Sequence, residues 1–154
     1  LLKYDLMILA DWNISSRDDF LKLYTYSTQK PIMALSTSAY NLFKYNNTFF
    51  ETTFGAKLAV YPNSTYDQIV YFDNSTFFTS HLATPYTREL WSSSPVANLT
   101  TARGLARVND NEYYLLTFNQ HSDFCNAFFG RSLRDMDENE TFLLEKLIVW
   151  ILNL

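Results

Sequence analysis

Three side chains of this sequence are of the types that hydrolytic chemistry uses: Ser36, His121 and Asp123. Ser36 follows the apolar run Ile32 to Leu35 and precedes Leu42 and Phe43 at helical spacing. It therefore stands at a strand-to-helix turn, the corner at which α/β enzymes hold a nucleophile. An imidazole from His121 and a carboxylate from Asp123 would complete a serine, histidine and acid set. The commoner role of a serine at such a turn is a helix cap. His121, Asp123 and Cys125 alternate, so in an extended segment they would share one face as metal ligands. Zinc ligands usually come in closely spaced pairs, and the other histidine, His81, is far away in sequence. Neither a metal nor a cofactor is therefore expected.

A second group of residues points to a compartment. Six Asn-x-Ser/Thr sequons occur, at Asn13, Asn46, Asn63, Asn74, Asn98 and Asn139. Each occupied site must be surface backbone of a protein that has met a glycosylation machinery, which implies an extracellular or cell-surface setting. The single cysteine, Cys125, excludes an internal disulfide, so stability must come from packing.

The elements that must position these residues fit one α/β domain over 1–154. A length of 154 residues suffices for one core, and 47% hydrophobic content is enough to offset chain entropy by burial. The net charge of −4 leaves no basic stripe for a phosphate backbone, so no nucleic acid is expected as a partner. Tyr4 to Ala10 reads as a buried parallel-type strand, and Ser15 and Ser16 with Asp18 and Asp19 cap a helix beginning near Ser16. Ile32 to Leu35 is a second buried strand, followed by a helix over Ser38 to Tyr45. Short strands are expected at Lys57 to Tyr61, Gln68 to Phe72 and Leu105 to Val108, and a firmer one at Tyr113 to Phe118. His121 to Cys125 reads as a loop leaving that strand. The last helix has a capping box at Asp137 and Glu140 and an apolar face of Leu144, Leu147, Ile148 and Ile151. Arg131, Arg134, Asp135, Asp137 and Glu138 alternate in sign ahead of it and read as a solvated face.

The stretches Tyr4-Asp-Leu-Met-Ile-Leu-Ala-Asp11 and Lys30-Pro-Ile-Met-Ala-Leu-Ser36, with a helix between them, resemble the middle of a class I glutamine amidotransferase-like domain, including its ThuA-like relatives. Glu112-Tyr-Tyr-Leu-Leu-Thr-Phe118-Asn119 resembles that superfamily's late strand carrying the catalytic histidine. The resemblance implies a three-layer α/β sandwich with a mostly parallel sheet. It also implies that the family's nucleophilic cysteine is replaced by Ser36 and its histidine by Asn119, which cannot act as a general base. By this likeness the domain is catalytically degenerate and lacks its front strands. An uncovered sheet edge is then expected, paired by upstream sequence, a second chain or another copy.

The reading is a non-catalytic, N-glycosylated module acting in assembly or recognition. A glycan at Asn13 would crowd the mouth of any site at Ser36. The alternatives are a hydrolase or transferase using Ser36 with His121, and a carbohydrate-binding module, since 11 Tyr, 13 Phe and 3 Trp supply rings for stacking. The pairs Phe49-Phe50, Phe77-Phe78 and Phe128-Phe129 cannot both point inward from a strand, which marks some of them for a protein interface. Phe142 to Leu154 is too short to span a bilayer, so any membrane anchor would lie outside this sequence.

Overall fold

The computed structural model describes residues 3–60, 65–73, 86–90, 95–108 and 112–153. The chain opens with β1 (Met7–Leu9), α1 (Arg17–Ser27) and β2 (Ile32–Leu35), then α2 (Ser36–Tyr45) and α3 (Asn47–Phe54). Seven strands follow: β3 (Ala56–Val60), β4 (Thr65–Phe72), β5 (Tyr86–Leu90), β6 (Pro95–Leu99), β7 (Arg103–Val108), β8 (Tyr114–Gln120) and β9 (Cys125–Phe129). Helix α4 (Glu138–Leu152) closes the chain.

All nine strands form one sheet in the order β1-β2-β9-β8-β7-β4-β5, with β3 paired to β6 and β6 joined to β8. Only β1 with β2 and β2 with β9 run parallel; the other pairings among the described residues are antiparallel. The expected mostly parallel sheet is thus corrected to a mixed one. Parallel neighbours need a crossover, which helices provide around β1 and β2. Strands β8 and β9 are joined by a turn of only four residues, which permits only antiparallel pairing.

Local chemistry explains the helix ends. Ser16 Oγ accepts from Asp19 N at 3.1 Å and caps α1, and Asp137 and Glu140 form the expected capping box on α4. Hydrogen bonds from Ser15 and Ser16 hold the Asp19 carboxyl below its ordinary range. Helix α3 is rich in β-branched and aromatic residues, poor helix formers. It is defined by its ends, because Asn46 Oδ1 accepts from Phe49 N at 2.9 Å and Gly55 stops it at φ +64.

The sheet is covered on both faces. Met33 and Leu35 point into a core with Leu115, Leu116, Phe129 and the α4 residues Leu143 and Leu147. Ile32 and Ala34 point into the other, with Leu23 and Tyr26 of α1, Leu42 of α2 and Phe50 and Phe54 of α3. Two adjacent-phenylalanine pairs are therefore wholly internal, contrary to the interface expectation. Phe128 and Phe129 face opposite cores from a strand buried on both sides, while Phe49 and Phe50 share a helix whose neighbouring positions both turn inward. Phe77 and Phe78 lie outside the described residues.

Gly55 offers a test of this packing. A Cβ there would approach Ala102 N and Thr101 Oγ1 at 2.6 Å, and the Gly55 carbonyl accepts from the backbone N–H groups of Thr100, Thr101 and Ala102. Gly55→Ala is expected to cost more than the roughly 1–2 kcal/mol of an ordinary left-handed residue, read as a lower urea midpoint. An unchanged midpoint would contradict the close approach.

Candidate functional site

The strands that run parallel fix where chemistry could occur, because ligands of such sheets bind beyond their carboxyl ends. Here that edge carries the ends of β1, β2 and β9. The β2–α2 junction has no linker: Leu35 ends the strand and Ser36 begins the helix with φ +34. The corner expected at Ser36 forms without flanking glycines, the serine itself taking the left-handed backbone. Its half-buried hydroxyl has no hydrogen-bond partner among the described residues. Asp11, just past β1, also has positive φ, +52, and Trp12 N donates to Ser38 Oγ at 2.6 Å, tying the end of β1 to the first turn of α2.

His121 is not at this edge. Leu35 is level with Phe129 in the β2–β9 register, and Gln120 is level with Cys125 in the β8–β9 register. Ser36 and His121 are thus separated by about six residues of strand, roughly 20 Å at about 3.3 Å per residue. The structure does not bring Ser36, His121 and Asp123 together. Asp123 is exposed in the β8–β9 hairpin, where Ser122 Oγ donates to it at 3.2 Å. His81 lies outside the described residues.

The strand parallel to β2 that delivers its loop to the Ser36 corner is β9, which begins where the loop expected at His121 to Cys125 ends. The Glu112 to Asn119 segment is β8, whose carboxyl end points the other way. The β9–α4 loop places Arg131 and Arg134 at the corner, and sequence reading had taken both for a solvated face. Arg134 is exposed, with Nε 4.0 Å from Asp11 Oδ2. Arg131 is 5% exposed, and its Nε lies 3.2 Å from Oε1 of the fully buried Glu140. Arg131 Nη2 also donates to Asp135 O at 2.8 Å, while Glu140 Oε2 accepts from Asp137 N. One carboxylate therefore completes a helix cap and neutralises a buried guanidinium. The sequence signal was Glu140 at the third helical position behind an arginine that follows an apolar strand.

Asn119 and Asn126 occupy the opposite edge. Asn119 Nδ2 donates to Thr53 O at 3.2 Å and its Oδ1 accepts from Thr101 Oγ1. Asn126, wholly buried, accepts from Ile32 N at 2.7 Å through Oδ1 and donates from Nδ2 to Thr53 O at 3.1 Å. His121 Nε2 lies 3.0 Å from the same Nδ2. These amides satisfy carbonyls left open at the end of α3. Cys125 is buried, and burial pushes its thiol up to about 12. His121, Asp123 and Cys125 do not converge, and among the described residues no three of His, Cys, Asp or Glu are grouped to hold a metal.

Of the sequon asparagines, Asn13 and Asn139 are exposed, Asn46 and Asn98 are half-buried, and Asn63 and Asn74 lie outside the described residues. Strand β1 is at the end of the sheet order, and its free side with α1 bounds a groove of about 1010 Å³ lined by Met7, Ile8, Leu9 and Leu21. Ile8 and Leu21 are 40% and 47% exposed there. No helix among the described residues is long and apolar enough to cross a membrane.

No protein-family model matches the chain, and no curated protein sequence matches it. Solved structures do match in fold. A putative ThuA-like protein from Bacteroides uniformis superposes with TM-score 0.73 at 14% identity, covering 98% of this chain and 70% of that one. A glutamine amidotransferase from Thermotoga maritima gives 0.50 at 10% identity, covering 97% and 65%. The chain has a ThuA-like, glutamine amidotransferase-like fold. The same fold covers 23% of a β-galactosidase from Rahnella sp. R3, with TM-score 0.64 at 15% identity over 97% of this chain. At such identities the likeness is one of architecture.

Two outcomes follow from the buried groups. Glu140→Gln strands the Arg131 charge and is expected to cost about 3–5 kcal/mol in urea unfolding, and Arg131→Met with Glu140→Leu much less; a single variant within about 1 kcal/mol of the parent would refute the pairing. For Cys125 the folded thiol is raised above the ordinary 9.0, so its contribution is complete below pH 9 and is lost as pH rises toward about 12. The parent should therefore lose up to about 1.4 kcal/mol per pH unit more than Cys125→Ala in that window, and parallel curves would show the thiol to be accessible.

Proposed function

We propose that this chain is a catalytically silent ThuA-like, glutamine amidotransferase-like module of a glycosylated extracellular or cell-surface protein, acting in assembly or recognition. The observation that carries this reading is the separation of Ser36 from His121 by the length of the strands. A serine needs a base within hydrogen-bond reach to become a nucleophile. At the Ser36 corner the described neighbours are Asp11, Arg134 and the Arg131–Glu140 pair, in which the carboxylate is committed to the guanidinium.

The sequons add to it. Asn13 follows β1 and Asn139 lies in the first turn of α4, each in a segment next to one that ends at the carboxyl edge of the parallel strands, and both are exposed. Glycans there would shield that edge from a macromolecular substrate and leave the rest of the surface for partners. The free side of β1, with its apolar groove and unpaired backbone groups, suits strand addition by a partner protein or a second copy.

The test is chemical. Protein taken from a secretory host should lose mass on deglycosylation, with Asn13 and Asn139 converted to Asp, and Ser36 should resist a fluorophosphonate probe. An unmodified mass would sink the compartment, and a stoichiometric Ser36 adduct abolished by Ser36→Ala would sink the silence.

A further inference from the structure

We infer that the amino edge of the parallel strands carries a cleft for a neutral sugar residue, on the side of the molecule away from the Ser36 corner. The cleft, about 360 Å³, lies between the end of α1, α3 and the β8–β9 hairpin. That is near the lower bound of about 300–1,000 Å³ for small-molecule sites, which fits one pyranose ring rather than a larger ligand.

Its walls have one consistent chemistry. No charged side chain lines it, so nothing there would offset the desolvation of a charged ligand. Tyr24, 51% exposed, and Phe124, whose ring stacks on His121 at 4.9 Å, present aromatic surface. Between them stand hydroxyl groups. Ser27 Oγ and Thr28 Oγ1 spend their protons on the carbonyls of Tyr24 and Thr25, at 2.7 and 2.8 Å, which leaves them as acceptors. Thr53 is only 7% exposed, yet its hydroxyl has no partner among the described residues, and it too lines the cleft.

His121 Nε2 lies 3.0 Å from Asn126 Nδ2 and 3.2 Å from the Thr53 carbonyl oxygen, and Nδ1 has no partner among the described residues. The cleft thus offers acceptors, an imidazole nitrogen and a hydroxyl that both donates and accepts, beside apolar rings. Sugar hydroxyls donate and accept, and a pyranose has an apolar face of C–H groups. A polyol without such a face, or an anion, matches less of the wall.

A free monosaccharide and the last residue of a glycan share this chemistry, and the test separates them. The ¹⁵N-labelled protein is titrated with methyl glucoside, galactoside and mannoside to about 100 mM, with glucuronate as the charged control and a high-mannose oligosaccharide as the chain-terminal arm. Expected are saturable shifts at Thr28, Thr53 and His121 for at least one neutral glycoside, weakened about tenfold or more by Tyr24→Ala; because that ring also packs on Phe20 and Phe49, the variant's amide spectrum away from the cleft must match the parent's. Tighter binding of the oligosaccharide assigns the cleft to glycan ends, and equal binding assigns it to free sugars. No saturable shift, shifts indifferent to Tyr24→Ala, or stronger binding of glucuronate would overturn the inference. None of these outcomes bears on Ser36, so this cleft and the silence of the corner stand or fall separately.

Discussion

The buried Asn126 side chain joins what would otherwise be separate parts. It sits in β9, satisfies the first backbone donor of β2, and reaches the carbonyl at the end of α3. A buried N–H or C=O without a partner costs about 1–3 kcal/mol, and this one amide relieves two. The register of the parallel pair, the position of α3 on the sheet and the orientation of the β8–β9 hairpin are all fixed by its geometry. Asn119, the next-to-last residue of β8, adds a second amide to the same helix end. Asn119 and Asn126 are level in the antiparallel β8–β9 pair, so both amides reach α3, and the turn between the strands sets the edge at which His121 emerges.

From that constraint follows a division between the two edges of the parallel strands. The carboxyl edge is charged and strained, with Asp11 and Ser36 at positive φ and the Arg131–Glu140 pair beneath. The cleft at the amino edge is lined by no charged side chain, and is built from amides, hydroxyls, aromatic rings and an imidazole. Chemistry that needs a serine and an imidazole together is split across the sheet. The asparagine at position 119, which from the resemblance stood for a lost catalytic histidine, has a structural task at the end of α3.

Much of the fold was legible because several signals were local. Ser16, Asp137 and Glu140 marked helix starts, and Ile32 to Leu35 could only be a strand covered on both faces. Three features were not local. Cys125 to Phe129 follows a polar turn of His, Ser and Asp, and its strand character comes from being sandwiched between β2 and β8. Helix α3 holds residues that favour strands, and its state is decided by Asn46 and Gly55 at its ends and by burial of Phe50 and Phe54. Tyr4 to Ala10 looked like an interior strand, but only Met7 to Leu9 pairs, on one side, and Ile8 is left open. The site was read least well, because whether Ser36 meets His121 depends on strand direction, and a sequence of short strands leaves direction to the turns between them.

A non-glycine residue at positive φ costs about 1–3 kcal/mol, and catalysis is one reason for a chain to maintain such strain. The chain supplies a simpler cause. Strand β2 passes into α2 with no residue between them, so the residue at the junction must turn the backbone within one step. Leu35 is still extended at φ −106 and ψ 137, and the helix is already under way at Thr37, which leaves Ser36 to absorb the change. The strain is held by interactions made elsewhere: Met33, Ala34 and Leu35 in register with Ala127, Phe128 and Phe129, and Ser38 anchored by Trp12 N. Positive φ at Ser36 is thus a consequence of how the layers join, and the case for or against chemistry there rests on what stands within reach of its hydroxyl.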